Sequence, residues 1–105
     1  MINTLKKLFG LGSKIDYEAL VKQGAIILDV RSAGEYKRGY IKSSINISVD
    51  TLNENLNTLK DKNQPIITCC ASGMRSASAK KILISEGYTQ VFNGGGWSSL
   101  QNKII

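Results

Sequence analysis

The chain has 105 residues, enough for one domain with one core and too few for two, and its 42% hydrophobic content is ordinary for a globular fold. No window approaches the run of about 20 apolar residues that a membrane-spanning helix needs. Lysine and arginine total 14 against 8 acidic residues, a net charge of +6 that favours anionic small molecules or acidic partners. The charges are scattered, with only Lys6-Lys7 and Lys80-Lys81 as pairs and no basic patch interleaved with aromatics, so nucleic-acid binding is not expected. There is no histidine, which excludes Cys–His catalysis and His-based metal sites within the chain. The two cysteines, Cys69 and Cys70, are adjacent. A disulfide between them would be strained and would close almost no loop, and two neighbouring thiols make a poor zinc site. A reducing, cytoplasmic setting without metal is the expectation.

Residues 1–12, with Leu5, Leu8, Phe9 and Leu11 among lysines and two closing glycines, read as a short amphipathic lead with too little apolar surface to anchor a membrane. Residues 13–105 read as a single domain. Lys14-Ile15-Asp16 suits a short strand, and Tyr17 to Lys22 a helix stopped by Gly24. Ala25 to Val30 is a nearly continuous apolar run, as in a strand buried on both faces of a parallel sheet. Ser32 and Glu35 have the spacing of a capping box, predicting a helix over 33–38 that ends at Gly39. Ser44 to Ser48 follows as a short strand. Leu52, Leu56 and Leu59 then give a helical stripe behind a Thr51…Glu54 capping box. Asp61 to Pro65 is the turn into the next strand.

The stretch from Pro65 to Ser76 organises the rest. A β-branched run ends in Cys70, and Ala79, Ile82 and Leu83 then recur at helical spacing, predicting a helix over 75–86. Cys70 therefore stands between a strand and a helix, where unpaired amides and the positive end of the helix dipole stabilise a thiolate. Gly73 permits a φ that other residues avoid, Ala71 and Ser72 keep the turn narrow, and the amides of residues 71 to 75, Met74 included, can converge on one anion. Arg75 supplies a cation. Thr89 to Phe92 reads as a further strand, Gly94 to Gly96 as a tight turn setting Trp97 against the core, and Trp97 to Gln101 as the start of a last helix. The alternation implies an α/β fold with a mostly parallel sheet of about five short strands and helices on both faces. In such a sheet the reactive loop belongs at the carboxyl ends of the strands.

The segment Cys70-Ala71-Ser72-Gly73-Met74-Arg75-Ser76 resembles the active loop of rhodanese-like sulfurtransferases, in the pattern Cys-x-Ser-Gly-x-Arg-Ser. Asp29-Val30-Arg31-Ser32 with Glu35-Tyr36, Gly39-Tyr40-Ile41 and Ser44-Ile45-Asn46-Ile47 resembles the family's front signature, and Gly94-Gly95-Gly96-Trp97 its rear one. Tyr40 stands where the family usually has histidine. The resemblance implies a three-layer rhodanese-like fold and a sulfurtransferase working through a persulfide on Cys70. The loop from Ala71 to Arg75 would bind a small anionic sulfur donor such as thiosulfate or a polysulfide. A thiol, cyanide or a sulfur-accepting protein would take the sulfur, and no cofactor is implied. A monomer is expected.

Cys69 faces the other side of its strand from Cys70 and is expected to pack rather than react. Asp29 close to Cys70 would oppose a thiolate, so a loop-bracing or arginine-pairing role is expected, and Arg31 and Glu35 are spaced to pair with each other. Trp97 would wall the pocket or pack beneath it. Two alternatives stand beside turnover. One is a sulfur-carrier or protein-interaction module, the other an arsenate reductase or phosphatase. Relatives of this fold acting on phosphate or arsenate carry a longer loop than the four residues enclosed by Cys70 and Arg75, and no acid follows Arg75 before distant Glu86.

Overall fold

A computed structural model describes residues 15–105; the amphipathic lead expected over residues 1–12 lies outside them. The two most apolar runs lie side by side at the centre of the sheet. Strands β1 (Ile26–Asp29) and β3 (Ile66–Cys70) pair in parallel, with Ile27 opposite Ile67 and Asp29 opposite Cys69. Strand β2 (Ile45–Asn46) flanks β1 and β4 (Val91–Gly96) flanks β3, giving the order β2-β1-β3-β4 with every pairing parallel. The described residues thus hold four strands, one fewer than expected. Ile15 and Asp16 form no strand; the Asp16 carboxylate instead caps helix α1 (Tyr17–Lys22), accepting from the Ala19 amide at 3.0 Å.

Both faces of the sheet are covered, which is why the central strands are apolar along their whole length. Side chains alternate between two cores. Leu28, Ile66 and Cys70 pack with Leu52, Leu59, Ala79 and Leu83 on one side, while Ile27, Ile67, Cys69 and Phe92 pack with Leu20 and Leu100 on the other. Helix α3 (Met74–Ser85) lies over the first face, and α1 and α4 (Trp97–Ile104) lie over the second. The short α2 (Ala33–Lys37) has the expected capping box between Ser32 and Glu35. A three-layer α/β domain results.

Two expected elements differ. Leu52 and Leu59 are buried, but their segment is two 3-10 turns, Val49–Glu54 and Leu56–Thr58, rather than one α-helix. Ser48 caps the first turn, Thr51 and Glu54 form no capping box, and Asn55 breaks the run by turning its amide back onto the Thr51 carbonyl at 2.8 Å. The last strand begins at Val91 and continues through the glycines that were expected to be a tight turn. Thr68 lies opposite Asn93 and Cys70 opposite Gly96, so β4 bulges between them, with Gly95 at φ +80°. A Cβ on Gly94 would sit 2.8 Å from Ile67 Cγ2, and one on Gly96 2.9 Å from the Ala71 carbonyl oxygen. Only hydrogen fits at either place. The chain order reverses between β1 and β3, and at that switch point the carboxyl ends of both strands present Asp29 and Cys70.

Candidate active site

Strand β3 ends on Cys70, and Gly73, at φ +112°, turns the chain directly into α3. That turn brings backbone donors onto the sulfur. Cys70 Sγ accepts from the Gly73 amide at 2.9 Å and from the Ser76 amide at 3.4 Å, and lies 3.5 Å from Ser76 Oγ. Burial pushes the thiol up, but the Ser76 hydroxyl and the amides of Ser76, Gly73 and Ser72 together outweigh it, and the thiol ionises below its ordinary value. Within residues 71–75 the Gly73 amide hydrogen-bonds the sulfur, and the Ser72 amide favours its ionised form. The Met74 side chain projects into solvent.

Arg75 makes its side-chain hydrogen bonds with Glu35, and its charge acts on the Cys70 sulfur from a distance. Its guanidinium makes a forked pair with Glu35, Nη1 to Oε1 at 2.7 Å and Nη2 to Oε2 at 3.0 Å. The predicted Arg31–Glu35 pair does not form, because Glu35 is aimed across the mouth of the loop and joins α2 to α3. The Arg75 bonds, together with those from Ser32, bring the Glu35 carboxyl down to about 2 from an ordinary 4.5. A depressed carboxyl contributes stability above its unfolded value and loses it as pH falls toward the folded one. The difference in thermal midpoint between the native protein and Glu35→Gln is therefore expected to be steady above pH 4.5 and to shrink as pH falls toward 2. A gap that stays constant across that window would show that the pair contributes nothing.

Asp29 and Arg31 brace the opposite wall. Both are buried, and Arg31 clasps the carboxylate with Nε at 3.0 Å and Nη2 at 2.7 Å while its own amide donates to Oδ1 at 3.0 Å. The arginine-pairing role expected for Asp29 is the one seen. Arg31 Nη2 also donates to the Gly39 carbonyl at 2.6 Å, and its Cζ lies 4.7 Å from the centre of the Trp97 ring. Trp97 packs beneath the site in the second core, with Gly39 close against its ring. Asn46 secures the same loop by donating to the carbonyls of Asp29 and Arg31 at 3.0 and 2.9 Å. Cys69 is in the second core, away from the loop, and burial pushes its thiol up to about 12 with a further push from Asp29.

Sequence reasoning left two functional neighbours without a role. Ser76 donates its amide to the sulfur and accepts the S–H on its hydroxyl oxygen, and Thr68 Oγ1 steadies it by donating to the Ser76 carbonyl at 2.9 Å. Asn93 accepts from the Ser76 hydroxyl at 2.6 Å and donates to the Gly73 carbonyl at 3.3 Å. Ser76 was visible as the last residue of the loop motif. Asn93 had no signal, since only the β3–β4 register brings it opposite Thr68.

Fold and site together define a small parallel α/β domain built around one strand-end cysteine whose sulfur is hydrogen-bonded by a glycine-hinged loop. The family model described as Rhodanese-like domain matches residues 13–103, and the chain belongs to that family. It is 37% identical over 70 residues to the thiosulfate sulfurtransferase PspE of Escherichia coli (strain K12), covering 66% of this chain and 67% of that one. The human single-domain sulfurtransferase TSTD1 is similar in structure, with TM-score 0.71 and 27% identity over 81% of this chain and 88% of that one. Reduced Bacillus anthracis CoADR-RHD is also similar, with TM-score 0.69 and 35% identity; 82% of this chain is covered, but only 15% of that much longer chain.

Proposed function

We propose that this chain is a sulfurtransferase that carries sulfane sulfur on Cys70 from an anionic donor, thiosulfate or a persulfide or polysulfide, to a thiol or cyanide. The observation that carries this reading is the sulfur of Cys70 held between the Gly73 and Ser76 amides, 2.9 and 3.4 Å away. In the first half-reaction the Cys70 thiolate attacks the outer sulfur of thiosulfate. The S–S bond breaks, sulfite leaves with the bonding pair, and Cys70 becomes a persulfide. In the second, the acceptor attacks the terminal sulfur and Cys70 leaves as the thiolate. Fixed amides that favour the Cys70 thiolate keep it ionised for the first step and stabilise it as the leaving group in the second, without rearrangement.

Ester hydrolysis is disfavoured because it needs an acid for the leaving oxygen. Around this loop Glu35 is committed to Arg75 and Asp29 to Arg31, while Glu86 follows the far end of α3. Two free adjacent cysteines fit the reducing cytoplasm, and a monomer suffices, since every named group comes from one chain. The test is intact-mass measurement after separate exposure to thiosulfate, glutathione persulfide and cysteine persulfide. The expected result is a gain of one sulfur atom, removed by cyanide or a thiol. No gain with any donor, or turnover of aryl phosphates faster than of sulfur, would overturn the reading.

A further inference from the structure

The Ser76 hydroxyl has one hydrogen to give and three acceptors around it. Asn93 Oδ1 lies at 2.6 Å, the Gly73 carbonyl at 3.0 Å and Cys70 Sγ at 3.5 Å. Ser76 is fully buried, so no water adds a choice. The shortest contact places the hydrogen on Asn93, which leaves an Oγ lone pair to accept the S–H of the neutral thiol. The orientation of the Asn93 amide is fixed by its other partners: the Gly95 amide donates to the same Oδ1 at 2.9 Å, and Nδ2 donates to the Gly73 carbonyl at 3.3 Å. A flipped amide would set two donors against each other.

Ionisation changes what Ser76 must do. The thiol proton goes to solvent, no other covalent bond breaks, and the sulfur becomes an acceptor for the hydrogen that Asn93 holds. For Ser76 to serve the thiolate its hydroxyl must turn, leaving Asn93 Oδ1 with the Gly95 amide alone. We propose that Asn93 is a positioning residue that competes with the Cys70 sulfur for the single hydrogen of Ser76 and so sets the pH at which the thiol gives up its proton. The loop amides favour the thiolate, and Asn93 favours the thiol. Of the charged and titratable groups on the elements around the sulfur, Arg75 of α3 is held by Glu35 of α2 and Asp29 of β1 is held by Arg31, while Cys69, next on the strand, lies in the other core. None of these side chains hydrogen-bonds the Ser76 hydroxyl or the Asn93 side chain.

This inference rests on Cys70 as the ionising thiol, as proposed above, but not on any sulfur donor. The test is iodoacetamide labelling of Cys70 against pH, read by mass, in the native protein, Asn93→Ala, Ser76→Ala and the double variant. Asn93→Ala is expected to lower the labelling pKa by about half to one unit, and Ser76→Ala to raise it by a similar amount. With Ser76 already replaced, Asn93→Ala should change nothing, because the hydrogen competed for is gone. A rise in Asn93→Ala, or the same shift in both serine and alanine backgrounds, would show that Asn93 merely braces the loop and would overturn the proposal. If Asn93→Ala does not fold, Asn93→Asp replaces it in the same cycle. Its charge acts in both backgrounds and cancels, and a larger rise with Ser76 present is expected, whereas equal rises overturn the proposal. A protein that accepts no sulfur yet shows these shifts would sink the proposed function and leave this one standing.

Discussion

Cys70→Ser is expected to fold normally and to take up no sulfur, whereas Cys69→Ser keeps most of the transfer. The two thiols are neighbours in sequence and opposites in environment. The Cys70 sulfur meets the donors of the loop, while Cys69 is sealed in the second core with its thiol pushed up to about 12 by burial, and so stays protonated at any working pH. Serine at 69 places a hydroxyl where the surroundings are apolar and costs about 1–3 kcal/mol of stability. Sulfur discharge to cyanide, measured beside urea denaturation, checks both halves. Equal loss of transfer in two folded variants would instead require both thiols in the mechanism.

Arg31→Met is expected to be the most destabilising single change near the site, costing about 3–5 kcal/mol. Methionine leaves the Asp29 carboxylate fully buried with the backbone amide of residue 31 as its remaining donor and removes the bond to the Gly39 carbonyl. Against a total stability of about 5–15 kcal/mol, that is a large share. Replacing both partners, as Asp29→Asn with Arg31→Met, should recover part of the loss because no charge is then stranded. Denaturation midpoints of the single and double variants measure this. A double variant no better than Arg31→Met would show that arginine acts through packing on Trp97 and Gly39 rather than through the carboxylate.

The core strands, the Ser32…Glu35 capping box and the reactive loop were legible because each is set by neighbours in sequence. Apolar β-branched runs specify a strand buried on both faces, and a glycine between strand and helix specifies a hinge. Leu52 and Leu59, with the half-buried Leu56 between them, showed the inward stripe but not the type of turn. Interleaved asparagines at 53, 55 and 57 compete for the backbone, and that local signal argued against a regular helix. The partners of the charged groups were not legible. Arg75 finds the Glu35 carboxylate across 40 positions, and Arg31 reaches back two residues to the Asp29 carboxylate, touching Glu35 only at its backbone carbonyl. Such choices depend on how strands and helices are placed, not on spacing along the chain. Asn93 is the extreme case, since its place beside Ser76 follows from the register of β4 on β3, which sets it opposite Thr68 just before the bulge.

The opposed directions of the two cysteines also decide how the protein withstands oxidants. A sulfenic acid formed on Cys70 is ordinarily rescued by condensation with a resolving thiol nearby. Cys69 cannot serve, because consecutive Cα atoms lie about 3.8 Å apart, below the span a disulfide ordinarily bridges, and its thiol is buried and protonated on the far face of the sheet. With no third cysteine in the chain, repair must come from an outside thiol. Oxidation that outruns that supply carries Cys70 on to the sulfinic acid, which a simple thiol does not reverse.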